Sequence, residues 1–389
     1  MRRLKVLTLT DQLVYLGGGA ERVAMEIATR LDQSRFESLF CASRYWEGTR
    51  TDYVQDAERR MDEAGVRYFG LGRRSSTDLY RWLPLRRILR RERVDVLHAH
   101  MFGSNVWGTV IGRLARVPVV VAHEHTWSFE GRPLRRFMDR EVIGRGSDAF
   151  IAVSRDDRRK MIEIEGVDPR KILHVPNGIA PPPPPSGADV RSELGIPAGA
   201  PVIGTVSVLR PQKALDVFIR ASARLLADNP DLRVLLAGDG PLKVELTELV
   251  HSLGVQDRLL LLGYRSDAAD VMAALDVAVS SSAFEGSPLA VMEYMESARP
   301  IVATRVGGVP DLIEDGVHGL LVEPGDVPAL TDAIRRLLDD PEAARRMGEA
   351  ARERRRHEFT VDLMVRRFEA LYERLCSGGG LPESFEQLA

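Results

Sequence analysis

The sequence predicts an α/β protein with two doubly wound parallel sheets, one in each half of the chain. Short apolar runs alternate with amphipathic stretches in both halves, the pattern of βαβ units. A run of prolines separates the halves, and the halves carry opposite charge. The length, 389 residues, suits two or three domains at roughly 100–200 residues each. With 44% hydrophobic and 28% charged residues the chain can bury ordinary cores, so disordered, collagenous and low-complexity classes drop out.

Taken in order, the first half offers strands at residues 5–10, 38–41, 94–99, 117–122, 150–153 and 172–175. The second offers 202–207, 233–237, 259–262, 277–280, 301–304 and 319–322. Basic residues precede the first run, but Thr8, Thr10 and Asp11 break it before a signal-peptide core can form. No apolar run approaches the ~20 residues needed to cross a bilayer, so no transmembrane helix is expected. Two cysteines, Cys41 and Cys376, are too few for a disulfide framework or a cysteine-built zinc site. The cytoplasm is the expected compartment.

Residues 1–178 hold 32 basic and 24 acidic side chains, net +8, and residues 179–389 hold 22 and 32, net −10. The basic half therefore suits an anionic molecule or a membrane surface. Prolines 181–185, at this charge boundary, read as a stiff spacer in preference to a partner ligand. The expected domains are 1–178 and 191–360, joined by a linker at 179–190. After Pro341 the pattern is helical to about residue 376, and Ser377-Gly378-Gly379-Gly380 opens a tail at 377–389 expected to be mobile.

In doubly wound folds ligands bind outside the carboxyl ends of the strands, and the motifs fall there. Gly17-Gly18-Gly19-Ala20-Glu21-Arg22 follows the first strand and leads into a helix at 23–31. Neither this loop nor Gly238-Asp239-Gly240-Pro241 has the Gly-x-Gly-x-x-Gly order, which argues against a nicotinamide dehydrogenase. By itself the glycine loop is as compatible with a structural turn as with a ligand loop. His98-Ala99-His100 and His123-Glu124-His125 close two strands. We expect the two histidines of each pair on opposite faces, with at most one of each facing a common cleft, structural roles for His98 and His123, and hydrogen bonding to a polar ligand in preference to a metal.

In the second half, Leu209-Arg210-Pro211-Gln212-Lys213 lies between a strand and a helix at 214–226, where two cations and a helix N-terminus can neutralise a diphosphate. Lys213 is one of only five lysines and stands in the acidic half. The most informative segment is Phe284-Glu285-Gly286-Ser287-Pro288-Leu289-Ala290-Val291-Met292-Glu293. Its Gly-Ser-Pro run should open a helix whose free N–H groups suit phosphate. Glu285 then stands in the preceding loop, and Glu293 projects from the helix two turns later.

These residues resemble the retaining nucleotide-sugar glycosyltransferases of family GT4, with the two-domain GT-B fold of Rossmann-like domains facing across a cleft. Glu285 and Glu293 match the family's Glu-x7-Glu motif. Further matches are Gly18-Gly19-Ala20-Glu21-Arg22, His100, Val175-Pro176-Asn177-Gly178, Pro211-Gln212-Lys213, Gly238-Asp239-Gly240-Pro241 and Gly307-Gly308-Val309-Pro310-Asp311. The resemblance implies that Lys213 holds the donor diphosphate, that Glu285 contacts the donor sugar and that Glu293 contacts the ribose. It gives Gly286, Ser287 and Leu289 to the donor phosphates, His125 to the sugar, and Gly18 and Gly19 to a loop beside donor phosphate and acceptor. His100 and Asn177 are additional candidates. It also implies that the second domain binds donor, that the first binds acceptor, and that the helix 361–376 crosses back to the first domain.

Two departures stand out. Val208 occupies the position of a family arginine, so Arg210 is the candidate substitute, and Ala214 replaces the usual glycine after the lysine. No Asp-x-Asp occurs, so no metal and no other cofactor is expected beyond the nucleotide sugar as co-substrate. The expected activity is transfer of a sugar from a UDP- or GDP-sugar to an acceptor hydroxyl with retention. A nucleotide-sugar epimerase or hydrolase of the same fold, and an inactive sugar-nucleotide scaffold, are the alternatives. Segment 81–93 mixes arginines with Trp82, Leu83, Leu85, Ile88 and Leu89. Its apolar face is expected on the sheet and its arginines on an anionic membrane, beside a lipid-linked or anionic acceptor; no nucleic-acid partner is expected.

Overall fold

The computed structural model describes residues 2–14, 19–45, 51–75, 78–125, 132–184 and 186–388. The chain forms two compact units, Met1–Gly178 with Val361–Ala389, and Ile179–Thr360. The first contains β1 (Leu4–Thr10), β2 (Phe36–Ala42), β3 (Arg67–Gly70), β4 (Val96–His100), β5 (Val119–Glu124), β6 (Ala149–Ala152) and β7 (Ile172–His174). They make one parallel sheet in the order β3-β2-β1-β4-β5-β6-β7. Val6, Leu7, Val96, Leu97, Val120 and Val121 are fully buried, as strands covered on both faces require.

The second unit contains β8 (Val202–Val206), β9 (Arg233–Ala237), β10 (Leu259–Gly263), β11 (Val277–Ser280), β12 (Ile301–Thr304) and β13 (Leu320–Val322). Its parallel order is β10-β9-β8-β11-β12-β13. Phe218 and Ile219 pack on one face of this sheet, and Val291, Met292 and Met295 on the other. Two parallel sheets with flanking helices make this a two-domain α/β protein.

β3 has no counterpart among the strands read from the sequence. Its residues, Arg-Tyr-Phe-Gly, form an edge strand with one neighbour, so no apolar alternation is needed. Arg67 on it bonds Glu37 and Glu92 instead. The helical stretch after Pro341 is two helices, Pro341–Glu358 and Val361–Cys376, broken where the chain passes from one unit to the other. At that point Ile179 N donates to Phe359 O at 3.1 Å, and Ile179 bridges Thr360. The helix Val361–Cys376 belongs to the first unit: Tyr372 packs edge-on against Phe36, and Glu369 accepts from Asp32 N at 2.7 Å and from Arg35 at 2.5 Å.

The stretch after Cys376, where glycines suggested a mobile tail, packs back on the same unit. Arg367 lies 4.2 Å from the Phe385 ring centroid and Leu388 is buried, because an aromatic ring and an aliphatic chain this close to the helix can leave water. No helix of the described residues is long and apolar enough to cross a membrane.

Arg355 ties the second unit's junction together. Its buried guanidinium donates to Ile179 O at 2.6 Å and pairs with Glu296 at 3.0 Å. Arg355→Met should cost about 3 kcal/mol in chemical denaturation, because the carbonyl loses its donor and Glu296 loses its buried partner. A loss below about 0.5 kcal/mol would show that water replaces the guanidinium without penalty.

Candidate active site

In an open parallel sheet a ligand site forms where the strand order reverses, because the loops leaving neighbouring strands there run to opposite faces. In the second unit the reversal falls between β8 and β11. The loop leaving β8 carries Arg210 and Lys213, and the loop leaving β11 carries Glu285. Lys213 closes a short 3-10 turn, Pro211–Lys213, and the next residue, Ala214, is left-handed at φ 43°. This accounts for the family's glycine at that position: alanine holds the conformation at a cost of roughly 1 kcal/mol.

Lys213 Nζ donates to Glu285 Oε1 at 2.6 Å, and Ser282 Oγ donates to the same oxygen at 2.7 Å. Gln212 Nε2 reaches Glu285 Oε2 at 3.3 Å and Phe284 O at 3.2 Å. Backbone bonds lock the loops: Ala283 N to Gln212 O at 2.8 Å, and Gly308 N to Gly286 O at 2.8 Å. Gly307 has no alternative, since a Cβ there would stand 1.6 Å from Glu285 O. Glu285 is buried and Lys213 half-buried, so the pair is held in a partly desolvated recess that Thr205, Ser281, Pro288 and Tyr294 also line. From the sequence Gln212 is read only as part of the Pro211-Gln212-Lys213 match, without a role, and Ser282 is not singled out. Their signal was position, one before the lysine and three before the glutamate, and short polar residues there read equally well as turn formers.

The helix Leu289–Glu296 starts after an extended Pro288, as the Gly-Ser-Pro run predicts, and Pro288 and Ala290 at its start line the same recess. Gly286 and Ser287 are buried in that loop, Leu289 is half-buried at the helix start, and Glu293 is half-buried one turn on. Arg210 is exposed, and its guanidinium has no hydrogen bond or ion pair among the described residues. Val208, in place of a family arginine, is 42% exposed. The structure thus groups Lys213, Glu285, Gly286 and Ser287 and leaves Arg210 at the surface nearby in sequence.

In the first unit the order reverses between β1 and β4. Gly19 opens the helix Gly19–Arg30 after β1; Gly18 lies outside the described residues. Asn177 is buried at the end of this unit's first segment. The four histidines at the ends of β4 and β5 correct the expectation that each pair would split across the sheet. Residues i and i+2 of a strand share a face, and β4 pairs with β5 in register, His100 against His123. All four rings therefore meet.

They form two edge-to-edge pairs laid one over the other. His98 Nε2 and His123 Nδ1 are 3.2 Å apart with centroids at 5.2 Å, and His100 Nδ1 and His125 Nε2 are 2.9 Å apart with centroids at 5.2 Å. Between the pairs, His98 faces His100 and His123 faces His125, each at 4.1 Å. Tyr372 Oη closes one end at 2.6 Å from His98 Nδ1, and Asn105 brackets the His123 backbone with two bonds of 3.1 Å. Ring nitrogens of His98, His100 and His123 lie within 4.8 Å of one another. Within each edge-to-edge pair an N–H of one ring faces a lone pair of the other, so each pair is a hydrogen bond between neutral imidazoles.

Burial pushes His98 and His125 down to about 3 and holds His100 and His123 well below the ordinary histidine value. The array is therefore neutral. Unfolded histidines take up protons near pH 6.5 while these do not, so stability is lost as pH falls below that value, by roughly 1 kcal/mol per histidine per pH unit. Asp139 and Asp157 of the same unit oppose this, since burial lifts both to about 7 and their contribution is lost as pH rises towards that value. Four groups against two leave a net loss on acidification between pH 6.5 and 5. Asp157→Asn should steepen it; equal stability at pH 7.5 and 5.5 in urea titrations would show that the imidazoles are hydrated.

The sequence matches Glycosyltransferase Family 4 over residues 17–181 and Glycosyl transferases group 1 over residues 188–354. It is 29% identical over 343 residues to UDP-Gal:alpha-D-GlcNAc-diphosphoundecaprenol alpha-1,3-galactosyltransferase of Escherichia coli, covering 85% of this chain and 87% of that one. It is 32% identical over 301 residues to D-inositol 3-phosphate glycosyltransferase of Corynebacterium glutamicum, covering 69% and 70%. Among solved structures, Anabaena HepE in complex with UDP superposes with a TM-score of 0.79 at 23% identity, over 95% of this chain and all (100%) of that one. Both halves match glycosyltransferase families, and the Glu285 and Lys213 loops occupy the strand-order reversal, so the chain belongs to the GT4 glycosyltransferases and transfers a glycosyl group from a nucleotide sugar.

Proposed function

We propose that the protein is a retaining transferase that takes a sugar from a UDP-sugar and places it on a phosphate-bearing, lipid-linked acceptor. The observation that carries the donor half is the Lys213–Glu285 contact at the reversal between β8 and β11. Lys213 and the N–H groups opening the helix Leu289–Glu296 face the charge that grows on the leaving diphosphate, where preorganised donors contribute most. Arg210 adds a second cation. Glu285, fixed by Ser282 and Gln212, binds the sugar and Glu293 the ribose, and the family resemblance gives His125 a contact with the sugar and Gly19 one with phosphate. In this reading the cationic groups replace a metal. UDP is preferred because the E. coli relative uses UDP-Gal and HepE binds UDP.

The acceptor half rests on charge and on relatives. The names of the E. coli and Corynebacterium proteins specify a diphospholipid and an inositol phosphate, both anionic. The helix Leu83–Glu92 buries Leu85 and Leu89 on the sheet and exposes Arg86, Arg87 and Arg90. Beside them Tyr80 and Leu83 are 65% and 70% exposed, an apolar edge among cations that suits a peripheral contact with anionic lipid at the cytoplasmic face.

Nucleotide release from a panel of UDP- and GDP-sugars, with and without lipid-linked and soluble phosphorylated acceptors, tests the reading. Release without any acceptor would favour hydrolysis, and a rearranged sugar would favour epimerisation. Glu285→Gln and Lys213→Ala should each lower kcat at least about tenfold while remaining folded, and Arg210→Ala should weaken UDP binding. Wild-type rates would remove the residue from the site. In co-sedimentation the protein should pellet with anionic vesicles at low salt and release as salt rises. Equal pelleting with neutral vesicles, or none with either, would favour a soluble acceptor.

A further inference from the structure

Large apolar side chains left in water are unevenly placed on this chain. Eight of them among the described residues are more than half exposed, and five, Leu79, Tyr80, Leu83, Leu134 and Phe137, stand on two short segments of the first unit. A single exposed apolar side chain needs no explanation, but a cluster does.

The two segments are far apart in sequence, and the topology brings them to one end of one face. The connections β3 to β4, β4 to β5 and β5 to β6 all step the same way along the sheet, so right-handed crossovers put their helices on one face. The helix Leu83–Glu92 lies on one side of the helix Phe102–Ala115, with Trp82 stacked on Trp107 at 6.1 Å. The helix Pro133–Phe137 lies on its other side, with Arg135 3.8 Å from the Phe102 ring centroid. Both segments sit at the carboxyl edge of the sheet. Arg135 pairs with Glu124, the last residue of β5, at 2.6 Å, and Trp82 lies against Arg73, which bonds Ser43 just after β2. Leu134 and Phe137 are three residues apart on a helix, as are Tyr80 and Leu83 across a 3-10 turn and a helix start, so each pair shares a face.

The surrounding charge selects the partner. Arg86, Arg87, Arg90 and Arg136 are exposed, and their guanidinium groups have no hydrogen bond or ion pair among the described residues. The only acidic residues in 79–93 and 132–140, Glu92 and Asp139, are buried and paired with Arg67 and Arg135. Apolar side chains among unpaired cations match anionic headgroups over an acyl interior. We infer that Leu134 and Phe137 form a second membrane contact beside the Tyr80–Leu83 edge, so that the first unit meets an anionic bilayer with the carboxyl edge of its sheet, the edge that bears His100 and His125. The inference rests on the peripheral contact already proposed for Tyr80 and Leu83. One helix stands between the two contacts, which places them roughly 20 Å apart at ordinary helix spacing, and two contacts fix an orientation that one would leave free to tilt.

A dye that responds to its surroundings reads the footprint. In a Cys376→Ser background the remaining thiol, Cys41, is buried, so nitrobenzoxadiazole can be attached in turn at Phe137→Cys, Leu83→Cys and Leu114→Cys. Leu114 is 63% exposed on the same face but lies about 18 Å along the helix Phe102–Ala115 from Phe102, towards the other edge. With vesicles of equal-part phosphatidylglycerol and phosphatidylcholine at low salt, emission should shift to the blue at positions 137 and 83 and stay unshifted at 114. A shift at 83 without one at 137 overturns the inference and leaves the peripheral contact standing, whereas no shift at any position overturns both. A shift at 114 equal to that at 137 also overturns it, because the whole helix face would then lie on the lipid. The double variant Leu134→Ser, Phe137→Ser should keep the wild-type Tm and weaken vesicle binding at least about fivefold; unchanged vesicle binding overturns the inference as well.

Discussion

Parallel pairing is the constraint from which the chemistry follows. Strands that all run one way deliver every carboxyl end to a single edge of the sheet, and a reversal of order opens a gap in the loops along that edge. Each unit has one such reversal, β1 beside β4 and β8 beside β11. The glycine helix and two of the histidines belong to the first, and the lysine and glutamate loops to the second. The remaining strands build the sheets wide enough to bury these four.

The two clusters solve the burial of polar groups differently. The second pairs opposite charges, with Lys213 and Glu285 sharing a contact that Ser282 and Gln212 reinforce, so neither is left without a partner when no ligand is present. In the proposed function an incoming diphosphate competes with a carboxylate for the ammonium. The histidine cluster of the first unit avoids charge, packing imidazoles in their neutral form against one another and against Phe368 and Tyr372, while the same unit pairs buried Arg135 with Glu124 and Asp139. A neutral array keeps its dipoles fixed across the pH range in which a free histidine would switch.

Much of this was legible in the sequence because it rests on local pattern. Twelve strands announce themselves as apolar runs, and Lys213 and Glu285 by residue type, spacing and resemblance. What was not legible depends on tertiary pairing. β3 carries no apolar pattern because an edge strand needs none, and the break at Phe359 is set by where the chain changes units, with no proline or glycine to mark it. The histidine expectation failed on a point of geometry: alternate residues of a strand share a face, and the in-register pairing of β4 with β5 then doubles the cluster. Tyr372, 274 positions from His98, could not be placed by any local rule.

The junction at Ile179 and Thr360 makes the second unit an insertion within the first. It is one continuous segment with its two ends bridged to each other, whereas the first unit is assembled from segments on either side. A ribosome therefore finishes the whole second unit before the helix that supplies Tyr372 exists. Until that helix docks, His98 Nδ1 has no partner from it, and the imidazole array is completed only by the closing segment of the chain.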